Sequence, residues 1–457
     1  MMRRAALLFA LTPFGGAQAQ DVAQTGLRHN EDWSVLRDAP ERGEDWWRPL
    51  KYWPLDDDGE AYLSLGGELR TRYEGYADNL WGQSSAPHDG YLWLRAMPHA
   101  DLHAGPARVF VQGIAGYARG VGGGKGPADE TGIDLVQGFG DVRFPIGSNA
   151  SLTLRAGREL VALGSERLVG TRYGTNVPQP FDGIHAIFQR GSVRVDAFHL
   201  RPVAIGPGAF DDAASRTRHL DGIHATIVPA ENIGIDLYWL GYSNETARFA
   251  AGTGHEQRDT LGLRFSGQRG PLGWNLEVVR QRGRFDGGPI RAWSVASETS
   301  WHFTGLALQP RLRLRANIVS GDRDRQDGML GTFNAMFPKG YYFGELSPIG
   351  PANIVNVHPG LDLTIGPRMT LTFAGVAYWR ESRGDGIYGM GGNLLRTPGI
   401  STSRFIGREM EVAIGWQANE IVSVSASAAS FAAGGFIQET GPARTIRMVA
   451  FEARARF

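Results

Sequence analysis

The joints between this chain's short alternating segments come in two kinds, and their order limits the fold more than any motif does. From about residue 61 to Phe457 the connections run tight, then long, then tight again. Tight joints fall at 104–107, 189–192, 229–232, 268–272, 366–368 and 419–421; long ones span 164–182, 204–218, 320–352 and 381–404. A sheet whose two ends face different environments gives this rhythm, with terse turns on one side of a membrane and elaborate loops on the other. Eighteen segments can be read, starting near residues 61, 89, 106, 133, 150, 183, 192, 219, 232, 256, 271, 291, 308, 353, 368, 405, 421 and 445. An even number of antiparallel strands in meander order predicts an all-β transmembrane barrel over 61–457, with short periplasmic turns and long extracellular loops.

Within the segments the period is two. Leu63, Leu65, Leu69 and Tyr73 fall on one face of the first, and Ser64, Glu68, Arg70, Arg72 and Glu74 on the other. Leu308, Leu312, Leu314 and Ala316 alternate in the same way with Arg311, Arg313, Arg315 and Asn317. In a soluble sandwich the apolar face would be a shared core; in a membrane barrel it meets lipid and the ionic face lines a lumen. Aromatic residues at strand ends favour the barrel: Tyr62, Trp274, Trp301 and Trp416 beside tight turns, Tyr73, Tyr242, Tyr378 and Trp379 beside long loops. The chain ends on Phe457, closing an alternating strand, as outer-membrane barrels do.

The start of the chain agrees with export. Arg3-Arg4, the apolar run Ala5–Phe14 and Ala17-Gln18-Ala19 read as a cleaved signal peptide over 1–19. That run is too short to span a bilayer as a helix, and no later stretch approaches ~20 consecutive apolar residues. With no Cys there is no disulfide framework. Residues 20–60 are expected as a periplasmic N-terminal segment of about 40 residues. A globular plug needs at least ~50 residues, so a pore is expected rather than a plugged transporter. The 47 basic and 47 acidic residues balance, giving no reason to expect nucleic acid as a partner.

Three stretches resemble the alginate-export outer-membrane family. The first is Glu31-Asp32-Trp33, then Pro49-Leu50-Lys51-Tyr52 and Leu63-Ser64-Leu65-Gly66-Gly67-Glu68-Leu69-Arg70. The second runs from Gly157-Arg158-Glu159-Leu160 through Gly164-Ser165-Glu166-Arg167-Leu168-Val169 to Asn176-Val177 and Phe181-Asp182-Gly183. The third is Ser320-Gly321-Asp322, Gly331-Thr332-Phe333-Asn334-Ala335-Met336-Phe337-Pro338 and Tyr341-Tyr342-Phe343-Gly344. The resemblance implies an eighteen-stranded outer-membrane barrel whose Arg-lined lumen passes a polyanionic polysaccharide.

Of the 47 basic residues only Lys51, Lys125 and Lys339 are Lys. An Arg fork binds carboxylates bidentately, although an Arg-favouring codon usage would give the same composition. Placement says more. Arg70, Arg72, Arg155, Arg194, Arg264, Arg311, Arg313, Arg315, Arg454 and Arg456 fall on lumen faces, with Glu68, Asp196 and Asp362 among them. As a substrate path, they would hand the carboxylates of a passing uronate chain from fork to fork. As wall struts, they would pair with acids on adjacent strands. Further acids alternate with them at Glu74, Asp141, Asp236, Glu298 and Glu452.

Other chemistries fare less well. Asp-Gly-Ile-His-Ala occurs at 182–186 and 221–225; on alternate strands the two His would stand ~9–10 Å apart, too far to share a metal ion. Asp322, Asp324 and Asp327 are interleaved with Arg323 and Arg325, which disfavours a Ca²⁺ loop. The Ser320–Ala352 connection is too long for a mere joint and reads as a lid or constriction. No Gly-x-Ser-x-Gly or His-Glu-x-x-His occurs; His302 with Glu298 or Ser300 is the nearest imitation of a hydrolase. The expectation is a monomeric outer-membrane pore for anionic polysaccharide or anionic solutes, without catalytic residues, metal or cofactor. Its partners would be membrane lipid, the barrel-assembly machinery and a periplasmic export scaffold. The rivals are an uptake porin for small carboxylates, then a sealed adhesin.

Overall fold

The computed structural model describes residues 24–37 and 45–457; the signal peptide over 1–19 lies outside the described residues. Eighteen strands form the barrel. They are β1 (Ala61–Ala77), β2 (Asp89–Ala104), β3 (Ala107–Arg119), β4 (Gly132–Ile146), β5 (Ala150–Leu160) and β6 (Pro180–Arg190). Next come β7 (Val193–Ala204), β8 (Arg218–Ala230), β9 (Ile233–Phe249), β10 (Gly252–Arg269), β11 (Leu272–Phe285) and β12 (Gly288–His302). The last are β13 (Arg311–Val319), β14 (Ile354–Ile365), β15 (Met369–Trp379), β16 (Phe405–Gln417), β17 (Val422–Ala433) and β18 (Ile446–Arg456). Each pairs antiparallel with its neighbours in sequence, and β18 returns to pair with β1 (Glu68 opposite Arg456, Tyr73 opposite Phe451). Closure leaves no edge, so every strand's N–H and C=O groups are paired before they meet hydrocarbon. Among the described residues no helix is long and apolar enough to cross a membrane; this chain crosses with strands.

Parity sorts the side chains as the alternation predicts. Leu69, Leu94, Leu154, Leu263, Leu314 and Phe451 are exposed on the outer wall, while their neighbours Arg70, Arg95, Arg155 and Arg264 are buried inside. The tight joints are hairpin turns with one residue at positive φ, for example Gly191 (54°), Gly270 (58°) and Asn232 (60°), as such turns demand. Gly283 on β11 has a different reason. At φ 144° it runs so close to the Gln257 carbonyl of β10 that a Cβ would collide with it.

Three expectations need correction. The rhythm is broken where β9–β10 and β11–β12 are joined on the extracellular side by two residues each (250–251 and 286–287), so those hairpins carry no elaborate loop. The aromatic girdle is also thinner than predicted. Trp301, Trp416 and Tyr73 do face outward, but Tyr62, Tyr242 and Tyr378 turn inward and are buried, because each sits on the ionic parity of its strand. Finally, a short helix, α1 (Gly435–Thr440), lies between β17 and β18, too brief to show a helical period in sequence.

The described part of the 20–60 segment lies against the periplasmic ends of the strands. Arg28 Nη2 donates to the Phe457 carbonyl (2.7 Å), and Arg108 Nη2 of β3 donates to the His29 carbonyl (2.7 Å). Trp33, Leu36, Trp47 and Tyr52 pack with Tyr62 of β1.

Candidate substrate path

Every Arg predicted for the path stands on the inward parity of its strand, and nearly all are paired. Arg70 lies 2.8 Å from Glu452, and Arg72 contacts Glu74 (2.6 Å), Glu345 (3.0 Å) and Glu452 (3.3 Å). Arg155 bridges Asp141 (2.8 Å) and Glu159 (3.0 Å), Arg194 meets Asp196 (2.6 Å), and Arg264 meets Asp236 (2.5 Å). Arg456 reaches Glu68 at 3.0 Å, whereas Arg454 stands 3.9 Å from Glu452. On β13, Arg313 grips Asp362 with both Nε (2.7 Å) and Nη2 (2.8 Å), Arg315 holds Glu298 (3.0 Å), and Arg311 donates to Ser300 (3.0 Å). Exposure separates the two roles weighed in sequence. Arg155, Arg70 and Arg72 are buried struts, but the side chains of Arg194 (44%), Arg454 (31%) and Arg315 (29%) remain wet.

The struts hold something in place. Two long connections, 161–179 and 320–353, fold back into the bore and meet. The Phe337 N–H donates to the Leu168 carbonyl (2.9 Å) and the Gly170 N–H to the Phe337 carbonyl (2.8 Å), a short parallel bridge inside the barrel. Arg70 donates to the carbonyls of Gly174 (2.8 Å) and Thr175 (2.9 Å); Arg95 donates to Thr175 (3.0 Å), Asn176 (3.1 Å) and the Glu68 carboxylate (2.7 Å). On the far wall Arg167 meets Glu277 (2.7 Å), itself held by Tyr238 (2.7 Å). Val169, Leu330, Phe333, Phe337 and Phe343 join inward side chains such as Phe181, Leu240 and Tyr378 in one apolar cluster. It packs the extracellular half of the bore, and the wet arginines lie toward the periplasm.

Sequence alternation alone would have found Arg95, Arg108 and Arg258, all on inward parity but not singled out. Arg95 carries the largest load, since removing one member of a buried pair costs about 3–5 kcal/mol. Arg95→Ala is expected to release residues 173–176, read as new protease cleavage within 161–179 of the folded barrel.

Outside the strands, Asp322 and Asp385 dock the 320–353 loop on the 380–404 loop. The Asp385 carboxylate accepts from Thr332 Oγ1 (2.5 Å), Tyr388 (2.7 Å) and the Asp322 N–H (2.9 Å). Burial, with Asp385 beside it, pushes the Asp322 carboxyl up to about 6. A carboxyl raised on folding stabilises while protonated, and the contribution is lost as pH rises through that value. Residues 320–335 are therefore expected to resist protease better at pH 5 than at pH 7.5, and Asp322→Asn should erase the difference.

The two Asp-Gly-Ile-His-Ala copies do lie on alternate strands, β6 and β8. His185 is held between Glu159 (3.0 Å) and Asp196 (2.9 Å), while His224 stacks on Tyr238 (5.7 Å). The hydrolase imitation dissolves, because Ser300 and Glu298 serve Arg311 and Arg315 instead.

A search of the curated proteins finds no match. Among solved structures, the Pseudomonas aeruginosa barrels OpdK with vanillate (13% identity, TM-score 0.60) and OccK2 (OpdF) with glucuronate (13%, 0.57) each align over 86% of this chain and 98% of their own. OccK11 (OpdR) from the same organism aligns over 86% and 96% (13%, 0.56). At such identity they attest the fold. A family model described as alginate export matches residues 61–451, from the first residue of β1 well into β18. On that span the chain belongs to the alginate-export family, as an outer-membrane β-barrel that is a transport pore and not an enzyme.

Proposed function

We propose that the pore carries carboxylate-bearing solutes, with polyuronate of the alginate type as its cargo, past the half-exposed arginines of the periplasmic half. The observation that supports this best is the contrast within one set of residues. Where Arg70 and Arg95 are consumed by loop carbonyls, Arg194, Arg315 and Arg454 keep solvent-facing donors beside a carboxylate already in place. A passing carboxylate can then exchange with the resident one, and each contact stays weak enough to release. The reading is tested with purified protein in planar bilayers. Mannuronate oligomers should interrupt the open current from the periplasmic side at concentrations where neutral oligosaccharides of equal length do not. Equal interruption by both would overturn it.

A second reading, passage of small carboxylates, draws on the neighbours named with glucuronate and vanillate. The same recording separates the two: monomeric glucuronate carried as current, with no block by oligomers, favours the smaller cargo. Assembly through the barrel-assembly machinery, a periplasmic scaffold and a monomeric state belong to the same proposal.

A further inference from the structure

One pair of inward carboxylates breaks the pattern of the wall. Away from the extracellular rim, every other inward carboxylate on the described strands lies within 4.0 Å of an Arg or His nitrogen, as with Glu68–Arg95, Glu277–Arg167 and Asp362–Arg313. Glu409 and Glu411, neighbours on the inner face of β16, make no such ion pair. The cations around them are committed elsewhere: Arg72 to Glu74, Glu345 and Glu452, Arg313 to Asp362, Arg315 to Glu298.

Glu409 is 1% exposed, and its Oε1 is buried with no hydrogen-bond partner. Its other oxygen accepts from Tyr378 (3.2 Å), and the Leu346 N–H of the lumen loop approaches the carboxylate as well. Glu411 Oε2 accepts from the Glu345 N–H (2.9 Å). The lumen loop comes down on both carboxylates at Gly344, where the backbone holds φ at 138°. A Cβ there would stand 2.5 Å from Glu411 Oε2 and 3.3 Å from Glu409 Oε1, so the two oxygens face one space over a residue that has no side chain. The Glu345 carboxylate, one residue on, adds a third acid nearby, held by Arg72 (3.0 Å) and Ser427 (3.2 Å).

We propose that Glu409 and Glu411 bind a divalent cation of the Ca²⁺ class, which pins the 320–353 loop to β16. The donors are all hard oxygens, the set that Ca²⁺ takes at ~2.3–2.6 Å with waters and backbone carbonyls completing its shell. The nearest heavy atoms to that space all belong to the two carboxylates, whereas softer metals prefer nitrogen or sulfur ligands. The ion supplies the positive charge that the wall supplies to its other acids.

Tb³⁺ is a suitable probe, because the Tyr378 hydroxyl next to Glu409 would sensitise its emission. The folded, detergent-solubilised protein should give saturable Tb³⁺ emission that Ca²⁺ displaces. Glu411→Gln and Glu409→Gln should each weaken it by at least about tenfold, the loss expected when one carboxylate leaves an oxygen-ligand site. Emission unchanged in both variants would overturn the assignment and leave the pair holding a proton. Should either variant fail to fold, native mass spectrometry with Ca²⁺ compares the unaltered protein with Asp211→Asn, which weakens the separate Asp134, Asp211 and Asp212 cluster. An ion retained by both supports the site; none, or one lost with Asp211, overturns it. The inference does not rest on the cargo reading, which oligomer block tests separately.

Discussion

Removing Asp324–Phe337 from the lumen loop should raise single-channel conductance severalfold. The deletion takes out Leu330, Phe333, Met336 and Phe337, which lie in the apolar cluster that packs the extracellular half of the bore. It also removes the Phe337 side of the bridge to Leu168 and Gly170, so the 161–179 loop loses its partner across the lumen. The barrel itself should survive, because strand pairing from β1 to β18 does not pass through the loop. A barrel of this strand number is wide enough to hold water once unplugged. Heat-modified gel mobility would verify folding, and planar-bilayer recording would read the conductance. An unchanged conductance would remove the loop from any constriction.

Replacing Arg311, Arg313 and Arg315 together by Gln should shift the pore's ion selectivity toward cations. Two of the three positive charges lost are ones that neutralise acids of the wall. Asp362 loses its bidentate partner and Glu298 loses Arg315, so two carboxylates that were neutralised locally then face the bore. Reversal potentials in a salt gradient measure the change. Asp362→Asn is the opposing control, because it removes one negative charge, frees Arg313 and should shift selectivity toward anions. If neither variant moves the reversal potential, these residues are wall struts and the substrate path lies elsewhere.

Much of the architecture was legible because its signals are local. Each of the eighteen predicted strand starts falls within four residues of the observed one, the worst being β10, which begins at Gly252 instead of 256. Period two places Arg311, Arg313 and Arg315 on the inner parity of β13, as observed, although Leu308, read into the same strand, lies in the turn before it. What sequence could not separate is strut from path, since Arg155 and Arg194 have the same parity and differ only in what folds down over them. That cover is non-local: Arg95 is buried by residues 173–176, about eighty positions along the chain. The family resemblance held the missing clue without its meaning, because its second and third stretches are the two loops that meet at Val169 and Phe337. Tyr62, Tyr242 and Tyr378 were misassigned for want of parity, which position near a turn does not supply.

The join between β1 and β18 carries its own consequence. Three guanidinium groups are laced across it, Arg70 and Arg72 to Glu452 and Arg456 to Glu68, on top of the backbone ladder from Glu68 to Ala77. Unzipping it would strand several ions at hydrocarbon depth. The first and last staves are therefore locked together, and a molecule inside has no sideways escape into the bilayer: it must leave through one of the two mouths.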